Sequence, residues 1–423
     1  VPGDKSISHR ALILGALAEG TSVLGGLSGG DDVRATAEAI QMLGAALAVR
    51  EDRGPLGWSA EVSGGRSRLA EPEDVIDCRN SGTAIRLLAG LAAALEGAHV
   101  VLSGDASLRR RPMDRVTEPL RRMGAHIDGR RDGSLAPLAV RGRRLAGADV
   151  TVPVPSAQVK SALLLAALGA EGDSSVRERV PTRAHTEELL ALAGARVRTS
   201  TGTGGGQVVR VVPGPLSPLV LSVPRDPSQA AFWVVGALVA PDSELSMPGV
   251  YVGPGRTGFL GVLERMGADV EVRAEEVSGG SGSATLVARS SALRGVEVLP
   301  EEVPGLVDEV PVLALAAALA EGESRFRGLG ELRAKESDRV ETTASVLRAL
   351  GANVSVSGDD LLVVGSGGER LAGGAVSVAH DHRLVMVAAI AALVCRAPVE
   401  IDDDRSVATS YPGFFEELKR CRR

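Results

Sequence analysis

Six times along the chain a short polar stretch opens into a run of alanine, leucine and valine with almost no polar interruption, and a small residue closes it. The runs are Val1–Gly20 (VPGDKSISHRALILGALAEG), Asn80–Gly97, Ser156–Gly172, Asp226–Asp242, Asp308–Gly322 and Asp381–Pro398, and their ends recur roughly every 70 to 80 residues. Recurrence at a near-constant period marks repeated supersecondary units. In stretches such as Ala162–Leu168 and Val312–Leu319 apolar residues would occupy every face of a helix, so each run predicts a helix buried on all sides.

Each repeat carries a second helical pattern, ending in Gly-Ala: Asp32–Gly44, Pro112–Gly124, Thr182–Gly194, Gly255–Gly267 and Ser337–Gly351, with a sixth, Pro412–Cys421, at the chain end. Glycine just past the last turn is the expected helix stop. Short β-type runs lie between and after the helices, among them His99–Ser103, Gln207–Val212, Ala284–Ala288 and Leu361–Val364. The glycine-rich runs Gly202–Gly206 and Gly279–Gly282 read as hairpin tips. Each unit therefore reads strand, helix, strand, helix and two strands, an α/β (α+β) pattern. Six such units exceed one core, so the chain is expected to divide three and three near Ser222–Arg225, where Pro224 precedes the fourth unit. The expected domains are 5–223 and 224–423, the latter joined by residues 1–4.

Composition narrows the class. At 423 residues, 44% hydrophobic and 24% charged, the chain can bury large cores, and its length alone suggests two or three domains. The apolar runs are about a dozen residues long, too short to span a bilayer, and no secretory leader is visible, so a cytoplasmic, non-membrane protein is expected. A net charge of -6 argues against a nucleic-acid binder. Cys78, Cys395 and Cys421 show no CxxC spacing, which predicts neither a zinc site nor a disulfide framework. No GxxxxGK[ST] motif occurs.

The lysines are more telling. Of 47 Lys and Arg, only Lys5, Lys160, Lys335 and Lys419 are Lys, and the first three stand at helix entrances. Where composition favours Arg, a retained Lys suggests a task for a compact ammonium or one that can lose its proton. The entrances also hold Ser6 and Arg10; Asn80, Ser81, Gly82 and Arg86; Ser156 and Gln158; Asp226 and Ser228; Asp308 and Glu309; and Asp381, His382 and Arg383. Threefold pseudo-symmetry would gather three helix N-termini at one end of each domain, where free N–H groups attract anions. Two domains facing each other at those ends would form a cleft for two anionic ligands. The serines and aspartates also fit a plain role as helix caps.

Several segments in order resemble the 5-enolpyruvylshikimate-3-phosphate (EPSP) synthases: GDKSISHR at Gly3–Arg10, NSGTAIR at Asn80–Arg86, RPM at Arg111–Met113, SAQVKSA at Ser156–Ala162, RAHTE at Arg183–Glu187, Asp308–Glu309, ELRAKESDR at Glu331–Arg339 and DHR at Asp381–Arg383. The resemblance implies two domains, each of three pseudo-symmetric βαβαββ units around buried helices, an inside-out α/β barrel with the active site between domains. It implies transfer of the enolpyruvyl group of phosphoenolpyruvate to the 5-hydroxyl of shikimate 3-phosphate, by a monomer with no cofactor and no metal. Carried over, Lys5, Ser6, Arg10, Ser156, Ala157, Gln158, Arg183, Asp308 and Lys335 would hold shikimate 3-phosphate. Lys5, Gly82, Arg111, Gln158, Arg339 and Arg383 would hold phosphoenolpyruvate, and Asp308, Glu336 and Lys5 would move protons. Carboxylates among Arg and Lys suit a base, and a Lys crowded by cations can shed its proton.

The family's glyphosate occupies the phosphoenolpyruvate position, and Gly82 would leave room for it. Thr409 stands where many members have Lys, and Leu87 where many have Pro. Two alternatives are a UDP-N-acetylglucosamine enolpyruvyl transferase on the same fold, which the absence of a Cys near Arg111 argues against, and a silent anion binder, which would not need Lys5, Asp308 and Glu336 together.

Overall fold

The computed structural model describes residues 1–50, 57–274 and 282–421; residues 279–281 of the second glycine-rich run lie outside them. The chain forms two units, Pro2–Val223 and Pro224–Arg423 with Val1. Pro2, Gly3 and Asp4 thus lie in the N-terminal unit, whereas the sequence pattern assigns them to the C-terminal one. Local bonding explains this: Asp4 accepts the Ile7 N–H on its side chain at 2.8 Å and the Ser8 N–H on its carbonyl at 2.9 Å, fixing it to the first helix.

The predicted apolar runs form α1 (Lys5–Leu17), α3 (Gly82–Ala93), α5 (Ala157–Ala167), α7 (Pro227–Val239), α9 (Val310–Leu319) and α11 (His382–Ala391). The second patterns form α2 (Asp31–Met42), α4 (Asp114–Arg122), α6 (His185–Leu192), α8 (Gly258–Arg265), α10 (Arg339–Ala349) and α12 (Phe414–Cys421). All residues of α3, α9 and α11 are buried, as helices apolar all round require. Small side chains let such helices approach closely: a Cβ on Gly90 of α3 would lie 2.2 Å from the Ala162 carbonyl oxygen of α5, so only glycine fits. The stops behave as expected, Gly44 adopting φ 108° just beyond α2.

Three four-stranded sheets clothe the N-terminal helices. Their orders are Ile76–Asp77, His99–Ser103, Leu135–Arg141, His126–Gly129; then Asp149–Thr151, Ser174–Glu178, Gln207–Val212, Arg196–Thr201; then Val220–Ser222, Gly20–Leu27, Trp58–Gly64, Ala46–Arg50. In each the first pair is parallel and the rest antiparallel. The hairpin tip expected at Gly202–Gly206 is present, closed by a Gly202 N–H to Gly206 carbonyl bond of 2.7 Å. The first repeat takes its opening strand from the far end of the unit: Val23, Leu24 and Gly25 pair in parallel with Val220, Leu221 and Ser222.

In the C-terminal unit the sheets are Glu244–Tyr251, Ser283–Arg289, Asp269–Ala274; then Glu297–Val298, Glu323–Phe326, Asp360–Val364, Asn353–Ser357; then the parallel pair Gly374–Val376 and Val399–Ile401. The last repeat is the shorter one, running from Val399–Ile401 into α12. No helix among the described residues is long and apolar enough to cross a membrane.

Candidate active site

The helix entrances sort capping residues from others. Asp4, Ser81, Ser156, Asp226 and Asp381 each accept a backbone N–H in the first turn of the helix they precede. Ser6 and Ser228 are not caps. Helix α9 begins after Glu309, whose side chain makes no capping bond.

In the N-terminal unit, Lys5 opens α1 and its Nζ lies 2.9 Å from Asp32 Oδ2 on α2. The setting expected for Lys5, a crowd of cations, therefore includes a buried carboxylate. His9, one turn on, is held well below its ordinary pKa by burial and by Lys5 and Arg10, so its ring stays neutral; its Nδ1 meets Thr36 Oγ1 at 2.7 Å. Arg10 spreads its fork over three oxygens: Thr186 Oγ1 at 2.8 Å, the Ser6 carbonyl at 2.8 Å and Ser161 Oγ at 2.7 Å.

Gln158, on the first turn of α5, is gripped by α3: its Oε1 accepts from Arg86 Nη1 at 2.5 Å and its Nε2 donates to Thr83 Oγ1 at 2.9 Å. Arg86 also donates to the carbonyls of Gly82 at 3.3 Å and Pro112 at 3.2 Å. Arg111 donates to Asn80 Oδ1 at 2.5 Å, and Asn80 in turn donates to Asp105 at 2.5 Å. A Cβ on Gly82 would lie 3.0 Å from both Arg111 Nη1 and Arg86 Nη1. Two buried guanidiniums therefore converge on the bare backbone at a helix N-terminus, an arrangement suited to a carboxylate or phosphate. Ala157 and Ser156 stand beside Gln158 at the same helix start, and Arg183 lies in the loop before α6, half-buried.

In the C-terminal unit charges pair directly. Arg339, 1% exposed, opens α10 and reaches Asp381 Oδ2 at 2.8 Å and Oδ1 at 3.3 Å, Asp308 Oδ1 at 3.2 Å, and Glu336. Burial alone would lower its pKa, but Asp381 and Glu336 outweigh it and hold the guanidinium charged. Asp381 is fully buried; it caps α11 through the Arg383 N–H at 3.0 Å and accepts from Ser337 Oγ at 3.1 Å. Asp308 thus sits among three cations, Arg339 at 3.2 Å, Arg383 Nη2 at 3.8 Å and Lys335 Nζ at 3.9 Å. Burial pushes the Lys335 ammonium below its ordinary pKa, against the opposing pull of Asp308 and Glu331.

A family model described as EPSP synthase (3-phosphoshikimate 1-carboxyvinyltransferase) matches residues 1–418. The chain belongs to the EPSP synthase family. Among similar proteins, a 3-phosphoshikimate 1-carboxyvinyltransferase of Thermus thermophilus is 51% identical over 99% of this chain and 95% of its own length. One from a Synechococcus species is 45% identical over 100% and 96%. The fold is likewise that of the family: a solved EPSP synthase structure from Acinetobacter baumannii aligns with TM-score 0.85 and 38% identity, over 100% of this chain and 94% of that one.

Against this family membership, the predicted residues fall into two connected sets. Lys5, Ser6 and Arg10 stand at the α1 entrance, Gly82 at α3, and Ser156, Ala157 and Gln158 at α5, with Arg111 beside Gly82. Asp308, Lys335, Glu336, Arg339 and Arg383 form the other. Sequence reading gave no role to Asp32, read Asp381 only as a helix cap, and placed Arg86 in a helix entrance without a role in the reaction. Arg86 and Asp381 had a signal, each standing in a polar helix entrance; Asp32 had none, being 27 residues from Lys5.

Proposed function

We propose that the two sets act on one pair of substrates in the family's reaction, both sets supplying cations that hold anionic groups and the C-terminal set supplying the carboxylates that move protons together with Lys5. The chain is a transferase of aromatic biosynthesis: it moves the enolpyruvyl group of phosphoenolpyruvate to the 5-hydroxyl of shikimate 3-phosphate and releases phosphate. The substrate hydroxyl adds to the carbon bearing the phosphate ester while the methylene carbon takes a proton. Elimination then removes a proton from the new methyl group and expels phosphate. Each half needs one group to accept a proton and one to donate it.

The observation that carries the division is Asp308. It keeps 14% side-chain exposure and is placed by Arg339, Arg383 and Lys335. A carboxylate so held is oriented to take the hydroxyl proton. Glu336, locked to Arg339, and Lys5, locked to Asp32, serve at the methylene carbon. Arg111 and Gly82, joined by Arg339 and Arg383, hold phosphoenolpyruvate, and Arg86 fixes Gln158 against it. Ser6, Arg10, Ser156, Ala157, Gln158, Arg183 and Lys335 hold shikimate 3-phosphate. Positioning of both reactants supplies much of the acceleration. Neither the UDP-N-acetylglucosamine reaction nor silent anion binding is favoured by the relatives named above. We place the protein in the cytoplasm as a monomer, which sedimentation would check.

The test is phosphate release from phosphoenolpyruvate with shikimate 3-phosphate, run beside UDP-N-acetylglucosamine. Release with the first acceptor alone is expected; release with the sugar nucleotide alone, or with neither, would reject the reading.

A further inference from the structure

The seam between α5 and α6 holds a charged cluster that no step above uses. Lys160, on the first turn of α5, has a side chain 0% exposed, and its Nζ lies 2.8 Å from Glu178 Oε2 and 2.7 Å from Glu187 Oε1, on side chains 1% and 6% exposed. The same ammonium donates to the Thr182 carbonyl at 3.4 Å. Glu178 also accepts the Thr182 hydroxyl, and its N–H at 3.5 Å. One ammonium therefore ties down the start, middle and end of the segment from Glu178 to Glu187. Arg183 follows Thr182 directly in that segment.

A second rung lies one residue along both helices. Ser161 Oγ meets Thr186 Oγ1 at 2.7 Å, and these are the two hydroxyls that receive Arg10, from Nη2 at 2.7 Å and Nε at 2.8 Å. The seam thus joins the two arginines given to shikimate 3-phosphate, one through Lys160 and one through the hydroxyl pair.

Lys160 touches no substrate, because its side chain has no solvent-facing surface. Nor does stability account for the cluster. Taking one ammonium and two carboxylates out of water is costly, and packed apolar residues of like volume often hold a core as well or better. What the cluster supplies is a fixed geometry: one compact ammonium that donates to Glu178 and to the Thr182 carbonyl and pairs in charge with Glu187, which a planar guanidinium would not match.

We propose that Lys160, Glu178 and Glu187 are positioning residues that set the loop carrying Arg183, and with the Ser161–Thr186 rung set Arg10, for the phosphorylated acceptor substrate. This rests on the functional reading above.

The test uses the full chain and calorimetric binding of shikimate 3-phosphate without phosphoenolpyruvate, followed by steady-state kinetics. The triple variant Lys160→Met/Glu178→Gln/Glu187→Gln leaves no unpaired buried charge. It is expected to bind shikimate 3-phosphate about 10- to 100-fold more weakly, the scale of a 1 Å misplacement, with KM for phosphoenolpyruvate unchanged. Thr186→Val, which removes only the rung to Arg10, is expected to weaken the same ligand by about 10-fold, one charge-assisted contact. A folded triple variant with wild-type affinity, or an equal loss for both substrates, overturns the proposal. Should the triple variant not fold, Thr186→Val and Glu187→Gln decide by the same split, and unchanged affinity in both overturns it. Failure of the wild-type protein to bind shikimate 3-phosphate would instead defeat the functional reading, and this inference with it.

Discussion

The N-terminal and C-terminal sets both rely on arginine but connect it differently. In the N-terminal unit Arg10 and Arg86 are aimed by neutral groups, hydroxyls, carbonyls and the Gln158 amide. Such contacts orient a guanidinium without cancelling its charge. In the C-terminal unit Arg339 is bound to Asp308, Glu336 and Asp381 at once. There the arginine orients the carboxylates. The contrast teaches that one set is built to receive negative charge from outside and the other to hold its own carboxylates in fixed places.

The sharpest way to break that contrast is at Asp308. Asp308→Asn is expected to lower kcat by two to four powers of ten, roughly 3 to 5 kcal/mol at the barrier, while phosphoenolpyruvate binding persists. Stopped-assay turnover and equilibrium binding would check it, and a near wild-type kcat would move the base role to Glu336. Next in size is Lys5→Arg, which keeps the charge but not a proton that can leave near neutral pH; a loss of about 100-fold or more in kcat/KM is expected. Retained activity would leave Lys5 only its charge.

Gly82→Ala probes the receiving side alone. The new methyl would press on the tips of Arg86 and Arg111 at 3.0 Å, so the two forks must give way. A cost of about 1 to 3 kcal/mol, or one to two powers of ten, is expected. Glyphosate, longer than phosphoenolpyruvate, is expected to lose more affinity than the substrate. Inhibition constants for both proteins against phosphoenolpyruvate would check this, and equal losses would place the crowding away from the inhibitor.

The smallest effect concerns Lys335. Its pKa is lowered in the folded state by burial, so between that value and the ordinary 10.5 the unfolded chain binds more protons. Stability should therefore rise with pH across that window. Urea midpoints of wild type and Lys335→Met, taken from pH 8 upward, should diverge in favour of the wild type; parallel curves would mean the ammonium is not desolvated.

Much of this architecture was legible in the sequence because the patterns that specify it are local. Apolar runs marked α1 to α11 of the buried series, and Gly-Ala stops marked the ends of most of the others. Lysine scarcity pointed to three positions, and each proved to face a carboxylate: Lys5 with Asp32, Lys160 with Glu178 and Glu187, Lys335 with Asp308. It could not say which ammonium was buried and which open to substrate, since that depends on helices distant in sequence. The partners themselves were also hidden. Asp381 reads as a cap, and it is one, yet the same carboxylate grips Arg339 across 42 residues. Pairing of Gly20–Leu27 with Val220–Ser222 has no local signature at all.

That pairing sets a schedule for the molecule's own manufacture. The sheet built on Gly20–Leu27 keeps an open edge until Val220, Leu221 and Ser222 arrive to cover it. At about 5 to 20 residues per second, a ribosome needs roughly 10 to 40 seconds to reach them. Through that interval the nascent chain carries helices that are apolar on every face and a strand edge open to strangers. Such a chain suits the holding chaperones that meet chains as they emerge, and the exposure of this edge ends when Val220–Ser222 pairs with Gly20–Leu27.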